Sequence, residues 1–115
     1  MINLLRETEE KLNEYGKNWD DVVWVGTPKG FIPIERFKEL ADVEYYDWYG
    51  CPEVATDLLV VGKGFYMYRD EYDGAEWWEF VDLSILKKPE NEIEAKTLVG
   101  GMWNTLEELQ EKEQW

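Results

Sequence analysis

The chain has 115 residues, of which 12 are Lys or Arg, 26 are Asp or Glu and none is His, so its formal charge is −14. Phosphate backbones are gripped by Lys and Arg, so direct nucleic-acid binding is not expected, and the absence of imidazole removes Ser-His-acid, Cys-His and histidine-zinc sites. With 44% hydrophobic and 16% aromatic residues the chain can still supply a core, and its length suits a single compact acidic α+β domain over residues 1–115, of about 13 Å radius.

Residues 2–15 set Leu5, Leu12 and Tyr15 near one stripe of an otherwise charged segment, which predicts an amphipathic helix ended by Gly16. Asp21–Val25 is short and β-branched, and predicts a strand running into a turn at Gly26-Thr-Pro-Lys-Gly30. Pro33–Ala41 predicts a second helix, with Pro33 in its first turn and Ile34, Phe37, Leu40 and Ala41 on one side. Beyond the break at Gly50-Cys-Pro, residues Pro52–Thr56 have room for a short helical turn, and Asp57–Val61 reads as a buried strand.

The clearest local signal is FYMYRDEYDGAEWWEFVDL, two aromatic strands joined at Asp73-Gly74, a dipeptide that favours a tight type I′ turn. In that register Tyr72 opposes Ala75, Asp70 opposes Trp77, Arg69 opposes Trp78 and Met67 opposes Phe80. Phe65, Met67, Trp78 and Phe80 then form a core quartet, with Arg69 laid over the Trp78 indole. After a polar link, Ile93–Val99 is expected to form an edge strand broken by Gly100-Gly101, and Thr105-Leu-Glu-Glu108 is a capping box for a short C-terminal helix. Closely spaced strands without crossover helices favour an α+β fold: a small antiparallel or mixed sheet with flanking helices and a central aromatic hairpin.

Charge concentrates in the middle of the chain. Residues 41–80 contain ten acids and two bases, a net of −8, beside eleven of the eighteen aromatics. Carboxylates that attract at long range and aromatics that exclude water locally make a plausible face for a basic protein surface. Its candidate contacts are Asp42, Glu44, Asp47, Trp48, Asp70, Glu71, Asp73, Glu76, Trp77 and Glu79. The plainer alternative is that the aromatics form the core and the carboxylates keep the chain soluble. A sharper one is nucleic-acid mimicry, in which spaced carboxylates replace phosphates in a basic groove.

Other chemistries find less support. Asp70, Glu71, Asp73 and Glu76 surround the hairpin turn as oxygen ligands would, but alternation sends some to opposite faces and no calcium-loop spacing is present. Paired acids for glycosidic or metal-dependent hydrolysis cannot be selected from so many carboxylates. Cys51 has no second thiol and no basic neighbour in sequence, so a packed or turn role is expected, an intrachain disulfide is excluded, and a reducing setting follows. Neither Gly26–Gly30 nor Gly62-Lys-Gly64 matches a phosphate-loop or dinucleotide-binding pattern. No catalytic residue, metal ligand or cofactor is assigned. The opening Met1–Glu10 turns polar too early for a signal peptide, and no apolar run approaches the roughly twenty residues of a membrane helix, so a cytoplasmic chain without membrane contact is expected.

Asp57-Leu-Leu-Val-Val-Gly62 and the string Tyr68-Arg-Asp-Glu-Tyr-Asp-Gly-Ala-Glu-Trp-Trp-Glu-Phe80, together with Trp24-Val-Gly26 and Phe31–Val43, resemble small uncharacterised phage and prophage proteins of Gram-positive bacteria. The resemblance spans residues 20–82 and transfers no catalytic role. It implies an accessory or host-protein-binding domain that acts by occupancy; the other expectation is a structural or stabilising phage protein.

Overall fold

The computed structural model describes residues 1–46, 51–83 and 86–112. In chain order the elements are β1 (Ile2–Asn3), α1 (Leu4–Glu14), a 3-10 turn at Trp19–Asp21, β2 (Val22–Thr27), β3 (Gly30–Ile32), α2 (Ile34–Ala41), β4 (Glu44–Tyr45), β5 (Leu59–Gly62), β6 (Phe65–Tyr72), β7 (Ala75–Val81) and α3 (Leu106–Lys112). Five strands form an antiparallel sheet in the order β3-β2-β5-β6-β7, and β1 pairs with β4 in a separate two-stranded ribbon. The fold is therefore α+β, as composition and spacing predict. The Cα radius of gyration is 13.2 Å.

One face of the five-stranded sheet carries the main core. Val25, Val60, Phe65, Met67 and Trp78 from the strands meet Leu4 and Leu12 of α1 and Phe37 and Ala41 of α2, all buried. Fully burying a side chain of this size contributes about 1.5–3 kcal/mol, so this face dominates stability. α1 presents Leu4, Thr8 and Leu12, spaced four apart. The stripe predicted through Leu5 is thus displaced by one position: Leu5 is only half-buried, and Tyr15 is exposed although its ring stacks at 4.0 Å on Phe80. Asn3 caps α1 by accepting from the Arg6 amide at 2.9 Å, a contact worth about 1 kcal/mol.

The β6–β7 hairpin has the expected register throughout, from Tyr72↔Ala75 through Arg69↔Trp78 to Met67↔Phe80. Asp73 and Gly74 adopt φ of 51° and 91°, the paired positive values that a type I′ turn requires. Phe65, Met67 and Trp78 are fully buried; Phe80 packs against them half-buried.

Two predicted elements do not form. Ile93–Val99 is not a strand; the parallel bridge between Phe31 and Glu92 lies just before it. Its buried positions, Ala95 and Leu98, are three apart, which breaks the period of two a strand needs, and the Gln110 side chain takes the Lys96 and Thr97 amides instead. Pro52–Thr56 is not helical either. Its four amides are committed elsewhere: Glu53 and Val54 donate to the Glu76 carboxylate, Ala55 to Leu98 O and Thr56 to Asn104 O. Three short strands, β1, β3 and β4, are additions; β3 follows a two-residue connection, Pro28-Lys29, so Gly26 lies inside β2 and not in the turn. The C-terminal capping box forms as predicted, with Thr105 N donating to Glu108 at 2.9 Å and Glu108 N to Thr105 Oγ1 at 3.3 Å. The Thr105 amide first, and then the Asn104 side chain, hold the Glu108 carboxyl below its usual range.

Gly62 lies where the Phe65 ring crosses the end of β5, and a Cβ there would overlap the ring and approach Asp21 O to 2.7 Å. Gly62→Ala should therefore lower stability by about 1–3 kcal/mol in urea unfolding, whereas an unchanged midpoint would mean that the ring does not pack over this glycine.

Candidate functional site

Alternation along the hairpin divides its charged residues. Arg69, Glu71, Glu76 and Trp78 point to the helix-covered face, while Tyr66, Tyr68, Asp70, Tyr72, Trp77 and Glu79 share the other. On the covered face, Arg69 is buried to 8% exposure and Glu76 to 4%. Arg69 Nη1 donates to Glu7 Oε1 at 3.2 Å, and Nη2 donates to Tyr45 Oη and to Glu76 Oε1, each at 3.1 Å. Tyr45 Oη donates to the same Glu7 oxygen at 2.6 Å. The guanidinium carbon lies 4.9 Å from the Trp78 ring centroid, in the predicted cation–π position.

The neighbouring contacts extend this network to the backbone. Glu76 accepts from the amides of Glu53 at 2.7 Å and Val54 at 3.2 Å. Trp78 Nε1 donates to Thr8 Oγ1 at 2.8 Å, and that hydroxyl donates to Leu4 O at 2.7 Å. One guanidinium thus ties β6, β7, α1, β4 and the irregular segment at residues 53–54 together. Its Nε–H finds no acceptor among the described residues. Burial raises the Tyr45 phenol above its usual range, keeping it a neutral donor to Glu7. Burial also raises the Glu76 carboxyl, against the opposing pull of the Glu53 amide and Arg69.

The opposite face is built differently. Towards β3, Trp24, Leu59 and Val61 are buried, with Phe31, Tyr66, Tyr68 and Leu86 packed around them. Towards β7 the cover thins: Asp70 and Tyr72 are exposed, and Tyr66, Tyr68, Trp77 and Glu79 are half-buried. Tyr66 and Tyr68 lie with ring centroids 6.3 Å apart, and Trp77 Nε1 donates to Glu79 Oε2 at 2.7 Å. The Tyr68 phenol is raised first by partial desolvation and then by the Asp70 and Glu79 carboxylates. The face therefore combines aromatic surface with a negative potential.

The ten candidate contacts separate accordingly. Asp70, Trp77 and Glu79 lie together on this face. Glu71 and Asp73 are exposed, Glu71 on the opposite side and Asp73 in the turn. Asp42 and Glu44 are exposed beside the β1–β4 ribbon, where Asp42 accepts from Asn3 Nδ2 at 3.0 Å. Asp47 and Trp48 lie outside the described residues. Glu76 is a correction: it is buried against Arg69 and contributes nothing to an exposed surface. Cys51 is buried and free of disulfide. Among the described residues no three His, Cys, Asp or Glu side chains converge as metal ligands, so the carboxylates around the hairpin turn do not form an oxygen cage.

Sequence reasoning did not identify Glu7 and Tyr45 as the partners of Arg69, which come from 62 and 24 residues away. Tyr66 and Tyr68 were legible from alternation alone, because they share the Asp70 side of the hairpin. Trp103 belongs to no sequence motif above; it is 56% exposed and held at a φ of 62°. The left-handed region costs a non-glycine residue about 1–2 kcal/mol, and the Gly100-Gly-Met-Trp-Asn104 sequence, a turn carrying large side chains, was the available signal.

Fold and site together define a small α+β domain with an internal ion network and one acidic, aromatic sheet face. Comparison with protein-family models, with curated proteins and with solved structures finds no match. Among the described residues no helix is long and apolar enough to cross a membrane.

Arg69→Met should cost about 3–5 kcal/mol in urea unfolding, because Glu76 would stay buried, and Glu7 half-buried, without their counter-ion; a loss under about 1 kcal/mol would contradict the network. A pH series adds a signed test. Because the Glu76 carboxyl is raised above 4.5 in the folded chain, the fold binds its proton more readily than the unfolded chain does. Its contribution is largest below that ordinary value and falls as pH rises through the folded value. Glu76→Gln removes this component, so variant stability minus parent stability should climb across that window; a flat or falling difference would show that the carboxyl is not raised.

Proposed function

We propose that this chain is a protein-binding domain that acts by occupancy, setting the acidic, aromatic face of β6–β7 against a basic surface of a partner. The observation that carries the reading is the hairpin register, which gathers Tyr66, Tyr68, Asp70, Tyr72, Trp77 and Glu79 on the side of the sheet that α1 and α2 leave free. Charge complementarity names the partner's chemistry. Residues 41–80 carry ten acids and two bases, and one of those bases, Arg69, is buried among Glu7 and Glu76. Glu76 is buried with it, so the pair cancels inside and the region's net of −8 rests on the remaining nine acids and one base, which basic side chains suit. Tyr and Trp supply flat contact area at low entropic cost, while the carboxylates speed and orient encounter.

The resemblance of residues 20–82 to phage and prophage proteins suggests a host protein as the occupant, and no chemical turnover is required of such a domain. Nucleic-acid mimicry is the special case in which the occupied surface is a nucleic-acid groove. A deca-arginine peptide serves as a first probe, titrated at several salt concentrations while backbone amide and indole resonances are followed. Shifts should concentrate at Tyr66, Tyr68 and Trp77. Asp70→Lys with Glu79→Lys should weaken binding about tenfold and flatten its salt dependence, each charge pair contributing on the order of 0.5–1 kcal/mol. Shifts spread evenly over the acids of α1 and α3, indifferent to these two reversals, would contradict a defined face.

A further inference from the structure

A pocket of about 150 Å³ lies beside the hairpin, lined by Pro52, Val54, Thr56, Arg69, Asp70, Glu71, Glu76 and Trp103. Such a volume accepts a guest of roughly benzene size. Its position follows from strand lengths. β5 ends its pairing with β6 at Leu59↔Tyr68, so Arg69–Tyr72 continues past the end of β5, and Pro52, Val54 and Thr56 of the irregular segment line the pocket beside it. That segment is fixed by the Glu76 carboxylate on one side and by residues 98–104 on the other, where Ala55 donates to Leu98 O and Trp103 donates to Pro52 O. The pocket is thus bounded by hydrogen-bonded backbone.

Its chemistry is specific. Pro52, Val54 and the Thr56 methyl give an apolar wall. Arg69 is more than nine-tenths buried, and its charge is shared between Glu7 and Glu76. With Arg69 and Glu76 paired, the remaining charge is that of the exposed Asp70 and Glu71 carboxylates. Trp103, 56% exposed on a backbone at φ 62°, adds an indole. An aliphatic wall, two exposed carboxylates and an indole suit a lysine or arginine residue. Its stem lies on the wall and its cation meets the exposed acids and the indole.

We infer that this pocket is the anchor point of the binding surface, taking one lysine or arginine side chain of the partner. The inference rests on the proposed basic partner and adds where its central residue goes. Asp70 joins the two regions, since it lies on the open sheet face and also lines the pocket.

Nα-acetyl-lysine methylamide is the probe, compared with the norleucine and glutamate analogues by amide and indole NMR on the full chain. The lysine compound should shift the Trp103 indole N–H and the Val54 and Thr56 amides, and should bind at least about fivefold tighter than norleucine. Trp103→Gly places glycine at a positive φ it adopts freely, so its thermal midpoint should equal or exceed the parent's while lysine binding falls about fivefold. Equal binding of norleucine, or tighter binding of glutamate, would overturn the inference. So would unmoved pocket resonances, and if deca-arginine then still shifts Tyr66, Tyr68 and Trp77, only the pocket is lost. Conversely, lysine binding in the pocket without a deca-arginine response on the sheet face would retain the anchor and discard the face.

Discussion

The Arg69 guanidinium, held between Glu7, Tyr45 and Glu76 and laid on Trp78, is the contact on which the remaining organisation depends. Removing a charged group from water costs several kcal/mol, which is recovered only when the geometry is good and the remaining donors are satisfied. Here two carboxylates and a phenol from three distant parts of the chain meet one base. The arrangement is valuable less for net stability than for uniqueness, since a slip of one residue in the hairpin would send Arg69 to the other face and strand Glu7 and Glu76 without a partner. Trp78 reinforces the same register through Thr8, whose hydroxyl returns the bond to Leu4 O.

This constraint also organises both surfaces. Because Arg69 and Glu76 point inward, strand alternation directs Asp70, Trp77 and Glu79 outward on the opposite face. Because Glu76 accepts from Glu53 and Val54, the irregular segment after Cys51 is held beside β6 and becomes the wall of the pocket. The buried Arg69–Glu76 pair carries no net charge, so the formal charge of −14 is left to the other residues. Self-repulsion among their carboxylates disfavours the compact state, and the apolar core between the sheet and α1 and α2 is what offsets it.

The hairpin was fully legible in the sequence, because Asp73-Gly74 fixes a turn type and period-two alternation then sets every opposing pair. α2 and α3 were legible for similar local reasons, Pro33 before an apolar stripe and Thr105 three residues before Glu108. What escaped was set by long-range partners. Pro52–Thr56 has an adequate local pattern for a helical turn, yet its amides are taken by Glu76, Leu98 and Asn104. Ile93–Val99 has strand-like residues, but Ala95 and Leu98 are buried at a spacing no strand provides. Glu76 was read as a surface acid because nothing near it in sequence discloses that Glu7 and Tyr45 arrive to share its base. The open face of Tyr66, Tyr68, Asp70, Tyr72, Trp77 and Glu79 follows from alternation, whereas the pocket depends on the return of residues 98–104 and cannot be read locally.

Hydrogen exchange at the Glu53 and Val54 amides measures the central constraint most directly, because these two groups lie in an irregular segment and are protected only through Glu76. If the Arg69 network holds that segment, both amides exchange as slowly as the ladder amides of β6 and β7, and both lose protection together in Arg69→Met under conditions where the hairpin ladder persists. Exchange in the parent chain at the rate of an exposed loop amide would show that Glu76 does not hold the segment, and would contradict the account of the hairpin, the pocket wall and the surface they frame.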